Sequence, residues 1–405
     1  MDKSSSLAEV DPSRQPVVIA ALRTPVCRAN GQLKSLRAED LLAPVLASLL
    51  AASGVEPDDV DDVVIGNAVG GGGNLARFAA LQAGLPASVP GLTVDRQCGS
   101  GLDAIALASR LVAAGGDGIF LAGGVESIST APLRARRSLD PGGTPDFYGR
   151  ASFVPPEFGD PDMGVAAENV ARAFGISRER QDDFALRSHR RAAVAIADGT
   201  FAGEIVPLET PGGIVHSDDG PRPALKPGIM ARFPPAFVPG GTVTAGNSCF
   251  DADAASAVVM TSLQRARQLG AKDGMLVLGC DTAGVDPQLL GIGASAAARR
   301  LLDRLDVQAQ DVDLVEFNEA FASQVIACLD ALGMEPGRAN LDGGALALGH
   351  GYGASGAVLV TRLLAQARRN GDEEPGRESL ALAMISIAGG MGTAALFKYA
   401  CLREG

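Results

Sequence analysis

Three stretches of this chain recur, in the same order, in its second half, and no other feature constrains the fold as strongly. Residues 58–67 end in Val63-Val64-Ile65-Gly66-Asn67 and resemble 310–318, which end in Val315-Glu316-Phe317-Asn318. The turn Cys98-Gly99-Ser100-Gly101 with its following helical run resembles Gly353-Ala354-Ser355-Gly356 with the run 357–368. Residues 119–127 (IFLAGGVES) resemble 385–393 (ISIAGGMGT). The interval from Asn67 to Cys98 is 31 residues, and that from Asn318 to Gly353 is 35. A longer gap follows in the second copy, where 370–378 reads as an added polar loop. Two related α/β halves with a site at their junction are the simplest architecture that satisfies this repeat.

The local patterns agree. Residues 16–22 (PVVIAAL) read as a buried strand, 38–53 as a helix closed by Gly54, 61–66 as a strand and 75–83 as a helix. A strand at 118–122 follows the Cys98 turn and its helix. Strands alternating with helices of this length imply a largely buried sheet. The rhythm breaks over 131–239. There, 134–161 is loop-like, 163–174 and 178–198 are helical, and 207–239 is proline-rich. The expected organisation is a first half at 16–130, continuing at about 240–260, an inserted covering domain at 131–239, and a second half at 261–405.

Composition narrows the partners. A net charge of −12 argues against nonspecific binding to nucleic acid or to an anionic membrane. The longest apolar helical run, 41–52, is too short to span a bilayer. Residues 1–15 are polar and mixed in charge, so they read as a disordered lead-in rather than a signal peptide. The six cysteines, at 27, 98, 249, 280, 328 and 401, form no C-x-x-C pair. Neither a metal site nor a disulfide framework is implied, and a reducing, cytoplasmic setting is expected.

Within Val94-Asp95-Arg96-Gln97-Cys98-Gly99-Ser100-Gly101-Leu102, a lone thiol stands where an apolar run gives way to a helix. A helix N-terminus favours the thiolate, which is what a nucleophile needs. A buried structural thiol is the commoner role for a free cysteine. His350, among glycines, is by itself readable as a satisfied loop residue, and Asn318 as a cap at a strand end. His189 and His216 read as surface residues.

Taken together, the blocks resemble the thiolase family over about residues 16–399. They are Arg96-Gln97-Cys98-Gly99-Ser100-Gly101, Gly123–Ser127, Met163-Gly164-Val165-Ala166-Ala167-Glu168-Asn169, Thr242–Asn247, Asn318-Glu319-Ala320-Phe321-Ala322 and Gly343–Gly356. The resemblance implies an αβαβα layered fold and acyl transfer between coenzyme A thioesters, with Cys98 as the acyl carrier. It assigns His350 to activating the nucleophile and binding the thioester oxygen, and Asn318 to holding a water that completes this oxyanion site. A second oxyanion pocket falls to backbone N–H groups near Cys98 and Ala388. Met163, Phe237, Ala245, Cys249 and Phe321 match positions lining the family's pantetheine tunnel, and Arg222 a basic residue at the nucleotide end of coenzyme A. No metal or further cofactor is implied, and the resemblance suggests a homodimer or homotetramer.

The chain departs from the family pattern where the second catalytic cysteine is expected, because Ser386 stands there. An alcohol ionises far above a free thiol, whose pKa is ~8.5, so a serine is a poor base. Gly351 follows His350 in place of the usual proline, Asp162 replaces a frequent histidine, and Cys249-Phe250 replaces Ser-Gly. By default the resemblance implies Claisen condensation or thiolysis of a 3-ketoacyl-CoA. The alternatives are transfer to another acceptor, decarboxylative condensation, or a catalytically weak partner subunit that binds coenzyme A esters.

Overall fold

The protein is described here from a computed structural model, which covers residues 11–116, 118–374 and 376–403. Residues 1–10 of the expected lead-in lie outside the described residues. Residues 11–15 do not form a loose tail: Pro12 and Gln15 carbonyls accept the Gln264 and Leu263 N–H groups.

The first half contributes β1 (Pro16–Arg23), β2 (Val60–Gly66), β3 (Gly91–Val94), β4 (Ile119–Glu126) and β5 (Ala252–Ser262). The second contributes β6 (Asp273–Gly284), β7 (Leu314–Phe317), β8 (Ser379–Ile387) and β9 (Met391–Cys401). They form one sheet in the order β7-β8-β9-β6-β1-β5-β4-β2-β3. Outward from the centre, β1-β5-β4-β2 is matched by β6-β9-β8-β7, and in each half only the outermost of these pairings is parallel. The halves meet at β1 and β6 through two register pairs, Val17↔Leu276 and Val18↔Met275.

The longer helices are α1 (Ala38–Ser53), α2 (Leu75–Gln82), α3 (Ser100–Ala113), α4 (Met163–Ala173), α5 (Arg178–Ala197), α6 (Gly293–Arg304), α7 (Ala322–Leu332) and α8 (Tyr352–Glu373). Strands covered on both faces read as unbroken apolar runs, because alternate side chains enter different cores. On β5, Val259 joins Leu42 and Leu46 of α1 in an outer core. Its neighbour Val258 enters the middle core, with Ile105 of α3, Leu363 of α8 and Phe397 of β9. A third core packs Leu301 of α6 and Val325 of α7 against Phe317 and Leu382. The result is the five-layer αβαβα arrangement, with α3 and α8 together in the middle.

Glycines let those two helices meet near their N-termini. A Cβ on Gly101 would lie 2.5 Å from the Gly353 carbonyl oxygen and 3.0 Å from the Ala357 nitrogen. The turns preceding α3 and α8, which carry Cys98 and His350, are thereby drawn together.

The segment between β4 and β5 is pinned to both halves by buried charge. Glu204 accepts from Arg23 of β1 and Arg362 of α8, each at 2.8 Å. Asp218 pairs with Arg23 at 2.7 Å and Asp342 with Arg362 at 2.7 Å. Both guanidinium groups stack over the Phe201 ring.

Two sequence readings change. Gly66 pairs with Gly124 and Phe317 with Met384, so the structural equivalent of Glu126 is Ser386, six residues from the register that the third repeat suggested. The cause is that Gly123-Gly124 lies inside a strand, whereas Gly389 and Gly390 form the β8–β9 turn with φ of 84° and 81°. The polar stretch 370–378 is also not wholly a loop, since α8 continues to Glu373.

Candidate active site

Cys98 sits in a single 3-10 turn, Gln97–Gly99, between β3 and α3. Gln97 has a φ of 47°, in the left-handed region that side chains seldom adopt. Side chains hold the turn: Asp95 Oδ1 accepts the Gln97 N–H at 2.6 Å. Ser100 Oγ accepts the Arg96 N–H at 2.8 Å and donates to the Gln97 carbonyl at 2.6 Å. Burial pushes the Cys98 thiol up to about 11, against the opposing pull of the Ala388 and Cys98 N–H groups. The helix N-terminus therefore does not make a resting thiolate, contrary to expectation, because desolvation outweighs it. The two N–H groups that face the sulfur are those of Cys98 and Ala388.

His350 is buried, and its backbone is clamped to the segment leading into β5. Its N–H donates to the Phe250 carbonyl at 2.9 Å, and its carbonyl accepts the Ala252 N–H at 3.1 Å. Nδ1 lies 2.7 Å from Ser355 Oγ, and burial lowers the imidazole to about 4. Among the described residues, neither the buried Nε2 nor the buried Nδ2 of Asn318, at the end of β7, has a hydrogen-bond partner. Unpaired buried polar atoms are costly, and these two belong to side chains that the resemblance assigns to binding a thioester oxygen. A cavity of about 30 Å³ bordered by Asn318, Ser355, Glu316 and Arg362 has room for one water.

Carboxylates from each half brace these turns. Glu126 accepts from Asn67 Nδ2 at 2.7 Å and from the N–H groups of Ala68, Val69 and Gly353 at 2.9, 3.1 and 3.1 Å. Glu319 accepts from Ser188 Oγ at 2.6 Å, Asn340 Nδ2 at 2.7 Å and the Leu346 N–H at 3.2 Å.

Ser386 is occupied elsewhere. Its hydroxyl donates to the Gly291 carbonyl at 2.6 Å and accepts the Ala294 N–H at 3.1 Å, in the segment entering α6. The following residue, Ile387, turns its side chain toward Gly99, as strand alternation requires.

Several of the tunnel candidates lie in segments that touch one another, and Cys249 is within charge range of Cys98. Phe237 and Phe321 meet edge to face at 6.0 Å, and Phe237 packs on Gly164, next to Met163. Cys249 is fixed by its N–H to the Ala320 carbonyl at 2.9 Å, and burial raises its thiol. Ala245 is exposed on the same loop. Arg222 is also exposed, and its N–H donates to His189 Nδ1 at 3.2 Å. His189 is thus buried rather than a surface residue, and burial lowers it to about 4. Its neighbours on the helix, Ala185 and Ala192, are buried too and carried that signal.

Sequence reasoning missed Arg28, Asp251 and Ser355. Arg28 stacks on Phe250 at 3.7 Å and is close enough to Arg222 for their charges to repel. Asp251 Oδ1 accepts the Tyr352 hydroxyl at 2.8 Å. Among the described residues, no helix is long and apolar enough to cross a membrane.

Residues 16–264 match the family model described as "Thiolase, N-terminal domain", and 273–399 match "Thiolase, C-terminal domain". A Staphylococcus aureus protein named "Putative acetyl-CoA C-acetyltransferase VraB" is 43% identical over 385 residues, covering 95% of this chain and 99% of that protein. Its Staphylococcus epidermidis namesake is 43% identical over 387 residues, covering 95% and 98%. The crystal structure of the Bacillus anthracis acetyl-CoA acetyltransferase superposes with a TM-score of 0.86 at 32% identity, over 96% of this chain and 99% of that one.

Proposed function

Since the chain belongs to the thiolase family and is an acyltransferase, we propose that it moves acyl groups between coenzyme A thioesters through acyl-Cys98, by Claisen condensation or thiolysis. We assign the imidazole proton to Nδ1, donating to Ser355, which leaves the Nε2 lone pair free. Neutral His350 takes the Cys98 proton as the sulfur attacks the thioester carbonyl, and the Cys98 and Ala388 N–H groups hold the oxyanion. The imidazolium returns its proton to the departing coenzyme A thiolate. In the second half-reaction the neutral imidazole carries its proton on Nε2, with Nδ1 then accepting from the Ser355 hydroxyl, and Nε2–H and Asn318 Nδ2 donate to the thioester oxygen of the acceptor.

The observation that carries this reading is the pair of buried, unpartnered atoms, His350 Nε2 and Asn318 Nδ2. The Cys98 thiol proton would answer the Nε2 lone pair, and a substrate oxygen the Asn318 Nδ2 donor. Met163, Phe237, Ala245, Cys249 and Phe321 would receive the pantetheine arm, and Arg222 with Arg28 the phosphate end. The nearly fully exposed Leu133 and Leu139 and the well-exposed Phe147, around the hairpin Arg134–Arg136/Asp146–Tyr148, support self-association as a dimer or tetramer.

The engagement of Ser386 with Gly291 and Ala294 favours a second reading, in which the acceptor is activated by decarboxylation or is a heteroatom nucleophile. Intact-mass and peptide analysis after incubation with acetyl-CoA tests the first half-reaction. An acetyl group on Cys98, absent from C98A, is expected; no acyl adduct on Cys98 with acetyl-CoA or longer acyl-CoAs would refute the acyl-carrier role.

A further inference from the structure

Two polar side chains beside His350 have no part in the chemistry above. Tyr352 opens α8 two residues after His350, and the two rings meet edge to face with centroids 5.3 Å apart. Its hydroxyl donates to Asp251 Oδ1 at 2.8 Å. Asp251 is held from both sides by backbone, because it bridges His350 and its carbonyl accepts the Ala29 N–H at 2.8 Å. It follows Cys249 by two residues, is solvent-exposed, and leaves Oδ2 free of the tyrosine. Its backbone bridge to His350 and its bond to Tyr352, whose ring packs on that imidazole, place Asp251 beside His350; its charge also adds to burial, the main influence, in raising the Cys249 and Cys98 thiols. Tyr352 adopts a φ of 24°, a strained value for a bulky residue, and such strain collects at functional sites.

The acceptor half-reaction needs a base near Cys98 for the α-carbon of the incoming thioester. The Ser386 hydroxyl is an alcohol, already donating to one partner and accepting from another. A carboxylate is ionised at neutral pH and an alcohol is not. We propose that Asp251, oriented by the Tyr352 hydroxyl, is the base that removes the α-proton of the acceptor acyl-CoA, in the place that Ser386 cannot fill. This rests on the reading of Cys98 as the acyl carrier in a Claisen reaction. The α-carbon C–H bond breaks and its proton goes to Asp251, while the electron pair moves onto the thioester oxygen held by His350 and Asn318. The enolate then forms a carbon–carbon bond to the acyl carbonyl, the C–S bond to Cys98 breaks, and the sulfur leaves as thiolate. The proton on Asp251 passes to solvent, and Cys98 is reprotonated. Asp251 is thus a catalytic residue and Tyr352 a positioning residue.

The test follows two signals on the full-length protein: acetylation of Cys98 by acetyl-CoA, and washout of deuterium from methyl-deuterated acetyl-CoA into water. Washout requires the base but no acyl-Cys98, so the two claims fail separately. D251N is expected to slow washout about 100-fold or more, and Y352F about tenfold, with Cys98 acetylation within about threefold of the parent in both. D251E, which keeps the carboxylate, is expected to recover part of the washout, so that a folding defect in D251N does not decide the matter. Washout in the parent without acetylation of Cys98 would sink the acyl-carrier reading alone and leave Asp251 as the base. Acetylation without washout in the parent, washout in D251N within about threefold of the parent, or equal loss of both signals in D251N and Y352F would each overturn the proposal.

Discussion

The protonation state of Cys98 gives the sharpest test of how this site works. Burial holds the thiol at about 11, and His350, lowered to about 4, is neutral at physiological pH. The resting pair is therefore thiol and imidazole, not thiolate and imidazolium. At pH 7.5 such a thiol has about 300-fold less thiolate than a free cysteine with a pKa near 8.5. A more basic thiolate is also more nucleophilic, which returns roughly tenfold for a Brønsted slope of about 0.4–0.5. Iodoacetamide should thus alkylate Cys98 roughly 20- to 30-fold more slowly than glutathione at pH 7.5, with the rate rising about tenfold per pH unit from 7 to 10. Peptide mapping separates Cys98 from the other five cysteines. His350→Ala should leave this profile in place while acetyl transfer falls by about 10²–10⁴. A rate that stays flat from about pH 5 to 8 would reveal a preformed ion pair and refute the reasoning.

Asn318→Ala should slow the acceptor half-reaction by about 10²–10³ while unfolding free energy in urea changes by less than about 1 kcal/mol, because Nδ2 has no bond to lose. Arg362→Met strips Glu204 and Asp342 of a buried partner and should cost about 3–5 kcal/mol in urea melts; a change below about 1 kcal/mol would contradict the role given to that cluster. Glu126 is raised from 4.5 to about 7 by burial, so the fold prefers its neutral form. Its contribution is complete below pH 4.5 and is lost as the pH rises through about 7. Relative to Glu126→Gln, the parent should therefore lose up to about 3 kcal/mol between pH 5 and pH 8 in urea titrations.

The layered fold was readable because each half writes the same strand and helix pattern, and because strands buried on both faces have no polar alternation to confuse them. The turn around Cys98 and the glycines framing His350 were readable for a local reason: short segments with forced backbone geometry advertise themselves. What the sequence hid was burial and distance. A helix N-terminus promised a thiolate at Cys98, but the desolvation that reverses this comes from residues far along the chain. His189 sits among arginines in sequence, yet only one face of its helix meets the core. Asp251 and Tyr352 are 101 residues apart, and nothing in either neighbourhood announces the hydrogen bond that joins them. The third repeat misled because its glycines serve a strand in one copy and a turn in the other.

The equivalence of Glu126 and Ser386 across the two halves reaches beyond packing. A single half that paired with an identical copy would have to place the same side chain at both positions, so its two sites could differ in nothing. Joining the copies in one polypeptide lifts that obligation. One strand end is then free to carry a carboxylate that ties loops of both halves together, while its twin carries a small hydroxyl bonded to Gly291 and Ala294. The fused chain can thus place different side chains at two strand ends that the fold makes equivalent.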